Sequence, residues 1–283
     1  MNILTFDIEE WFHIKFDTDF LEDEVSLTKY ENRLENNMEF IFEVLEKTKK
    51  KATFFCLGWV ARKYPNLIKK IDSLGHEIGS HSDVHNLLFK LNSYEFREDL
   101  KKSINSIEDI IGKKIEIFRA PSFSIGESNS WVFDELINFG IRYDCSVFPA
   151  KRDNGGFSKF VSSEPSIIKT IKGEIKEFPI NLYNFFGQKL IFSGGGYFRI
   201  LPYFVLKKMM EKSDYVMTYF HPRDFDKDQP ILENISFSRY FKSYVGLKSS
   251  KNKLLKLTND FDFMCVSDAN NFIDWVKAPV QHI

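Results

Sequence analysis

The sequence predicts a single α/β domain organised around a parallel sheet, and three observations predict it. Short apolar runs alternate with stretches of helical spacing along most of the chain. The 283 residues, 43% apolar and 16% aromatic, suit one barrel-sized core. Gly75, Gly112 and Gly140 follow three of the helical stretches where a helix ordinarily stops.

Ile3 to Phe6, Ala52 to Cys56, Glu77 to Ser80, Ile115 to Arg119, Arg142 to Ser146, Tyr215 to Phe220 and Phe261 to Val266 read as strands. Helices are predicted over Asn32 to Lys50, Val60 to Leu74, Ser93 to Ile111, Trp131 to Phe139, Pro202 to Ser213 and Asp268 to Val276. Phe148 to Ser193 breaks this rhythm. Its Asp153-Asn154-Gly155-Gly156 and scattered Ser and Pro predict a long surface excursion of the kind that shapes binding sites. With no repeat and no linker rich in Pro, Gly or Ser, residues 1–283 read as one domain.

Lys and Arg (39) balance Asp and Glu (40), which excludes a global field for nucleic acid or anionic lipid and points to a small or neutral partner. The basic run Lys248 to Lys256 reads as a solvated helix face. Asp7 stands where an export signal needs an uninterrupted apolar run, and no segment reaches the ~18 apolar residues of a spanning helix. Cys56, Cys145 and Cys265 are odd in number and widely spaced among apolar residues, as buried thiols of a reducing compartment are. A cytoplasmic protein is therefore expected.

Chemistry is concentrated at strand ends. His81-Ser-Asp-Val-His85 follows the strand ending at Ser80, and with a helical turn starting there the two imidazoles face the same way and can share a divalent ion. Alone, such a pair reads better as caps or surface residues. The first strand adds weight, because its apolar run ends in Asp7, Glu9 and Glu10, and a buried carboxylate demands a cation or a proton. Asp7 and Glu9 lie on one side of the strand, one able to act as base while the other completes a two-histidine, one-carboxylate metal site. Capping or pairing with Lys and Arg is the structural alternative. Arg119, before Ala120-Pro121-Ser122, can orient a carboxylate through paired hydrogen bonds, and His221 brings an imidazole suited to proton transfer. Together these groups point to metal-assisted hydrolysis. Zinc suits the ligand set, as do cobalt, nickel and iron.

With these residues in view, the chain resembles the polysaccharide deacetylases of the NodB-homology type, carbohydrate esterase family 4, and within them the branch tied to exopolysaccharide and O-antigen synthesis. The resemblance runs in order through Ala52-Thr-Phe-Phe-Cys-Leu-Gly-Trp, Gly75-His-Glu-Ile-Gly-Ser-His81, Arg119-Ala-Pro-Ser-Phe-Ser, Tyr143-Asp-Cys-Ser-Val-Phe-Pro and Ser193-Gly-Gly-Gly-Tyr-Phe-Arg. It implies a distorted (β/α)7 barrel and removal of N-acetyl groups from amino sugars. Under it, Asp7 is the base held by Arg119, His81 and His85 are metal ligands, His221 is the acid, and the Ser122 N–H holds the oxyanion. The family writes two adjacent aspartates in its first motif, whereas Ile8 follows Asp7 here. Glu9 is the expected third ligand by strand alternation, with Glu10 the alternative. Asp144 stands for the family's aspartate that tunes the acid histidine, and Tyr197 and Arg199 for sugar contacts. A cytoplasmic member meets its substrate as a lipid- or nucleotide-linked N-acetylated saccharide. Two other readings remain open at this level: a metal-independent hydrolase of small cyclic amides or ureides, and a non-catalytic sugar-binding protein.

Overall fold

A computed structural model of the chain describes residues 1–13, 30–151, 156–185, 187–232 and 235–283. The first half runs β1 (Asn2–Ile3), β2 (Thr5–Ile8), α1 (Leu34–Thr48), β3 (Thr53–Cys56), α2 (Gly58–Lys63), α3 (Pro65–Ser73), β4 (Glu77–Ser80), α4 (Ser93–Ile111), β5 (Ile117–Phe118), α5 (Val132–Asn138) and β6 (Tyr143–Asp144). The second half runs β7 (Ser166–Thr170), β8 (Gly173–Glu177), β9 (Tyr183–Phe185), β10 (Gln188–Leu190), α6 (Gly195–Ile200), α7 (Tyr203–Glu211), β11 (Val216–Met217), α8 (Phe237–Tyr244), α9 (Leu247–Asp260), α10 (Val266–Asn270) and β12 (Val280–His282).

The main sheet has the order β2-β3-β4-β5-β6-β8-β7-β12, parallel throughout except for the antiparallel β7–β8 hairpin. On the other side of β2, Phe6 bridges Phe220, β1 pairs with β11, and Tyr219 bridges Gly194. Side chains close the ring: Asn181 Oδ1 accepts from the Met217 N–H at 3.1 Å and the Tyr215 hydroxyl donates to the Pro179 carbonyl at 2.8 Å. The result is an irregular α/β barrel, as expected from the sequence.

Strand alternation divides the core. Leu4, Phe6, Ile8 and Phe54 pack outward against helix residues such as Ile41 and Ile71, while Ile3, Phe55, Ile117, Phe178 and Met217 form a second, inner cluster. Each fully buried Phe contributes about 1.5–3 kcal/mol of burial, so alternation alone fixes which side chains face inward. By the same alternation Thr5, Asp7 and Arg119 share the inner face with Ile3 and Ile117.

Several boundaries differ from expectation. The stretch predicted as one helix from Val60 to Leu74 is two, because Pro65 cannot donate to a preceding turn and Tyr64 leaves helical geometry. Phe261 to Val266 is not a strand. Met264 makes a single bridge to Ile3, and Val266 already opens α10, whose first N–H groups are taken by the Glu77 carboxylate. That helix ends at Asn270, short of the predicted Val276. The expected excursion from 148 to 193 contains β8, a member of the main sheet, together with the β9–β10 hairpin. Within it, the Asp153-Asn154-Gly155 turn lies outside the described residues. Lys248 to Lys256 lies on α9, where Lys248, Lys251 and Lys256 are solvated, while Lys253 turns inward to the carbonyls of Phe198, Arg199 and Leu201.

Candidate functional site

Register brings the chemistry to one rim. Ile8 pairs with Cys56, Cys56 with Ser80, Ser80 with Phe118, and Phe118 with Asp144. The residues that follow these strand ends therefore emerge along one rim, His81 beside Arg119 and Glu9 one strand removed from His81 across Leu57. The His81 N–H donates to the Cys56 carbonyl at 2.9 Å, and the Arg119 N–H to the Ser80 carbonyl at 3.0 Å.

Glu9, His81 and His85 offer ligand atoms that all lie within 4.8 Å of one another, and all three are buried. His81 Nδ1 bonds the Arg119 carbonyl at 2.8 Å, which fixes the ring and leaves Nε2 for the cluster. Glu9 Oε2 stands 2.9 Å from His85 Nε2, and both side chains are buried. Two imidazoles and one carboxylate converging on a buried space fit a divalent cation. Burial alone would raise the Glu9 carboxyl, but His85, with His221 and His13, holds it well below the usual range. Burial holds His81 down at about 4, so its ring stays neutral and able to ligate.

The five residues from His81 to His85 do not form the helical turn expected of them. Ser82 and His85 have φ of 71° and 67°, left-handed geometry unusual outside glycine. The loop is held by its surroundings. Asp99 on α4 accepts from the Asp83 N–H at 2.9 Å and also from the Val84 N–H, Ser82 Oγ accepts from the His85 N–H at 3.2 Å, and the Asp83 carboxylate grips Arg62 at 2.6 Å. The rings of His81 and His85 still meet, centroids 5.4 Å apart.

Asp7 lies beside this cluster. Arg119, fully buried, donates from Nη1 to Asp7 Oδ1 at 2.8 Å and to Thr5 Oγ1 at 2.6 Å, and from Nε to the Cys145 carbonyl at 3.2 Å. Its guanidinium stacks 4.1 Å from the Phe55 ring. Opposite, His221 Nε2 stands 3.7 Å from Asp7 Oδ2 and 3.9 Å from Glu9 Oε1, while Nδ1 is 3.1 Å from Asp224 Oδ2. Burial disfavours its charge, but Asp224, Glu9 and Asp7 outweigh that and raise the imidazole to about 9, so it carries a proton at neutral pH. Burial likewise opposes ionisation of Asp224, which His221 and Arg199 nevertheless hold down at about 2.

Three expectations are corrected by this geometry. Glu10 turns away from the rim, its carboxylate accepting from the N–H groups of Arg33 and Leu34 and from the Tyr64 hydroxyl, so it caps α1. Asp144 does not reach His221. It is fully buried, bonded to Ser146 and to Glu177, and burial raises both carboxyls. The residue that holds His221 is Asp224, which the sequence reading missed; the only local signal was its position three residues after His221, closing a capping box on the turn begun by Pro222. Arg199 is not available to a sugar. It is 2% exposed, and its N–H groups meet the carbonyls of Gly195, Lys242, Ser243 and Val245, with Asp224 at 3.1 Å.

A cavity of about 580 Å³ opens onto the rim, lined by Asp7, Glu9, His85, Ser122, Tyr197 and His221 among others. Ser122 and Phe123 have φ of 51° and 53°, a tight turn after Pro121 that places Ser122 at the cavity wall. Tyr197 is half exposed at the mouth.

The chain is similar to known proteins over two adjoining regions. Residues 17–143 match a family model described as polysaccharide deacetylase, and residues 145–270 match one described as a domain of unknown function, DUF3473. Asp7 and Glu9 precede the first match, while His221 and Asp224 fall in the second. A peptidoglycan-N-acetylglucosamine deacetylase of Bacillus cereus is 35% identical over 103 residues, covering 35% of this chain and 38% of that protein. The peptidoglycan-N-acetylmuramic acid deacetylase PdaC of Bacillus subtilis is 33% identical over 87 residues, covering 31% and 19%. The chain thus spans less than two-fifths of these relatives. A solved structure assigned as a polysaccharide deacetylase of Mycobacterium smegmatis superposes over 100% of this chain and 92% of its own, with a TM-score of 0.67 at 18% identity. The structure of the Bacillus subtilis PdaC superposes over 96% and 90%, with a TM-score of 0.50 at 16% identity. These two likenesses are of fold.

Proposed function

Because residues 17–143 match the polysaccharide deacetylase family model, we propose that the chain is a deacetylase of the NodB type that hydrolyses the N-acetyl group of an amino sugar in a bacterial glycan. The observation that carries this reading is the opposition of Asp7 and His221 across one cavity, beside the Glu9, His81 and His85 cluster. Binding alone has no use for a fixed base and a protonated imidazole facing each other.

Glu9, His81 and His85 would hold the divalent ion, with zinc the best match to two imidazoles and one carboxylate. Such an ion supplies Lewis-acid polarisation of the amide carbonyl and acidifies water. The protein's own groups do the rest. Arg119 pins Asp7 Oδ1, leaving Oδ2 facing the cavity to take the proton of the attacking water. The backbone N–H of Ser122 is assigned to the developing oxyanion. His221, oriented through Nδ1 by Asp224, presents Nε2 to the cavity and delivers its proton to the departing amine. Water adds to the carbonyl carbon, the C–N bond breaks, and acetate and a free amine leave.

The curated relatives are named for N-acetylglucosamine and N-acetylmuramic acid units of peptidoglycan, which makes those sugars the first substrates to assay. The motif resemblance adds surface-polysaccharide intermediates of the O-antigen and exopolysaccharide kind. All three cysteines are free and buried, and no helix among the described residues is long and apolar enough to cross a membrane. We place the protein in the cytoplasm, where such sugars occur as lipid- or nucleotide-linked precursors. Acetate release from N-acetylglucosamine oligomers by the zinc-loaded protein tests the reading. Release abolished by Asp7→Asn is the expected result; no release from any N-acetylated sugar, linked or free, would overturn it.

A further inference from the structure

The cavity mouth differs in character from the rest of the surface. Two stretches build its outer rim, and neither contains a carboxylate. Residues 178–210 carry no Asp or Glu across 33 positions, and residues 236–259 none across 24, in a chain with 40 acidic residues among 283. Of the cations in these stretches, Lys189 and Lys242 are exposed at the cavity rim, while Arg199 and Lys253 turn inward to carbonyls. Both stretches are free of negative charge in a chain of net charge −1.

Exposed apolar side chains sit among these cations. Phe237 and Phe241, one helical turn apart on α8, are 82% and 43% exposed, and Tyr197 and Ile200, three apart on α6, are 48% and 39% exposed. Tyr197, Ile200, Phe241, Lys189 and Lys242 all line the mouth of the catalytic cavity, so they form one continuous rim. The acids that line the same cavity, Asp7, Glu9 and Asp224, are buried, so its exposed rim presents aromatic and aliphatic residues beside Lys189 and Lys242, the chemistry of an interfacial lipid contact.

We propose that this rim is a docking face for an anionic phospholipid surface, which the protein touches with Phe237, Phe241, Tyr197 and Ile200 while Lys189 and Lys242 meet the headgroups. The contact is peripheral. It sets the cavity mouth at the bilayer plane, and, resting here on the hydrolase reading, it makes the substrate an N-acetylated sugar presented there by a lipid carrier. A protein partner would need its own acidic, apolar patch; a bilayer offers both features everywhere.

The test is co-sedimentation of the full chain with vesicles of phosphatidylcholine alone and with added phosphatidylglycerol. Sedimentation with the anionic vesicles only, weakening as salt rises, is the expected result. Phe237→Ser with Phe241→Ser should lower the partition at least tenfold, and Lys189→Glu with Lys242→Glu should do likewise. Tyr94→Ser, altering an aromatic 71% exposed on α4, should leave it unchanged. All these side chains are exposed, and equal thermal melts will confirm that the variants are folded. No sedimentation with anionic vesicles, or full sedimentation of the Phe237 and Phe241 variant, overturns the proposal. So does a wild-type dimer in light scattering that the same variant dissolves, because the rim would then be covered by a second copy. Acetate release from soluble oligomers by the wild type is read separately: no release with vesicle binding present sinks the hydrolase reading, and no vesicle binding with release present sinks the docking face.

Discussion

Replacing Arg119 by Met removes the guanidinium and keeps the volume of the side chain. Arg119 is fully buried and the Asp7 side chain only 4% exposed, so the carboxylate is left in the barrel interior with the His221 imidazole, 3.7 Å away, as its remaining counter-charge. Removing one partner of a buried pair costs about 3–5 kcal/mol. The Thr5 hydroxyl and the Cys145 carbonyl lose a donor at the same time, at about 1–3 kcal/mol for each acceptor left unpaired. The lower end of these ranges, about 5 kcal/mol in all, is expected. Urea unfolding read by fluorescence gives the number, and Asp7→Asn alone and combined with Arg119→Met completes a cycle. The double variant should be more stable than the summed single losses predict by about 2 kcal/mol. A cost below about 1 kcal/mol for Arg119→Met, or strict additivity, would refute the claim that Arg119 holds the Asp7 side chain.

Asp99→Ala frees the Asp83 and Val84 amides and slackens the loop between His81 and His85, so metal affinity should fall about 10- to 100-fold in a chelator competition, with Asp99→Asn largely spared. Burial, with Asp83 nearby, pushes the Asp99 carboxyl up to about 7, above its unfolded value. The folded state thus holds that proton more tightly, and stability from this group falls as pH rises from about 4 to about 7, then levels. The stability difference between wild type and Asp99→Asn should follow that window in urea titrations, and a pH-independent difference would count against it. Glu10→Ala should cost about 1–2 kcal/mol through loss of the α1 cap, measured by urea unfolding. Asp224→Asn should lower kcat about 10²-fold or more with folding intact, and an unchanged kcat would show that Asp224 does not place the acid.

The legible parts of this molecule are those where local chemistry and tertiary role agree. Helix α4 matched its expected bounds from Ser93 to Ile111 because Asn92 and Glu95 form a capping box and Gly112 stops it in left-handed geometry. The site was visible because an apolar strand ending in Asp7 and Glu9 conflicts with burial unless something compensates. What stayed hidden was set by distant partners. Arg199, beside three glycines, looked like a ligand contact, yet its partners are carbonyls more than 40 positions along the chain. Asp99 sits inside the predicted helix Ser93 to Ile111 with no local signal, although it holds the loop between His81 and His85. The β7–β8 hairpin was masked by the Ser, Pro and Gly residues around it, and its pairing with β6 is a non-local fact.

Metal content tests the central claim most directly, measured by elemental analysis on wild type, Glu9→Ala, His81→Ala with His85→Ala, and Glu10→Ala after zinc loading and dialysis. The geometry predicts about one equivalent in wild type and Glu10→Ala, and near none in the other two. Zinc absent from wild type, or retained by both Glu9→Ala and the double histidine variant, would contradict the assignment of Glu9, His81 and His85 as the metal site.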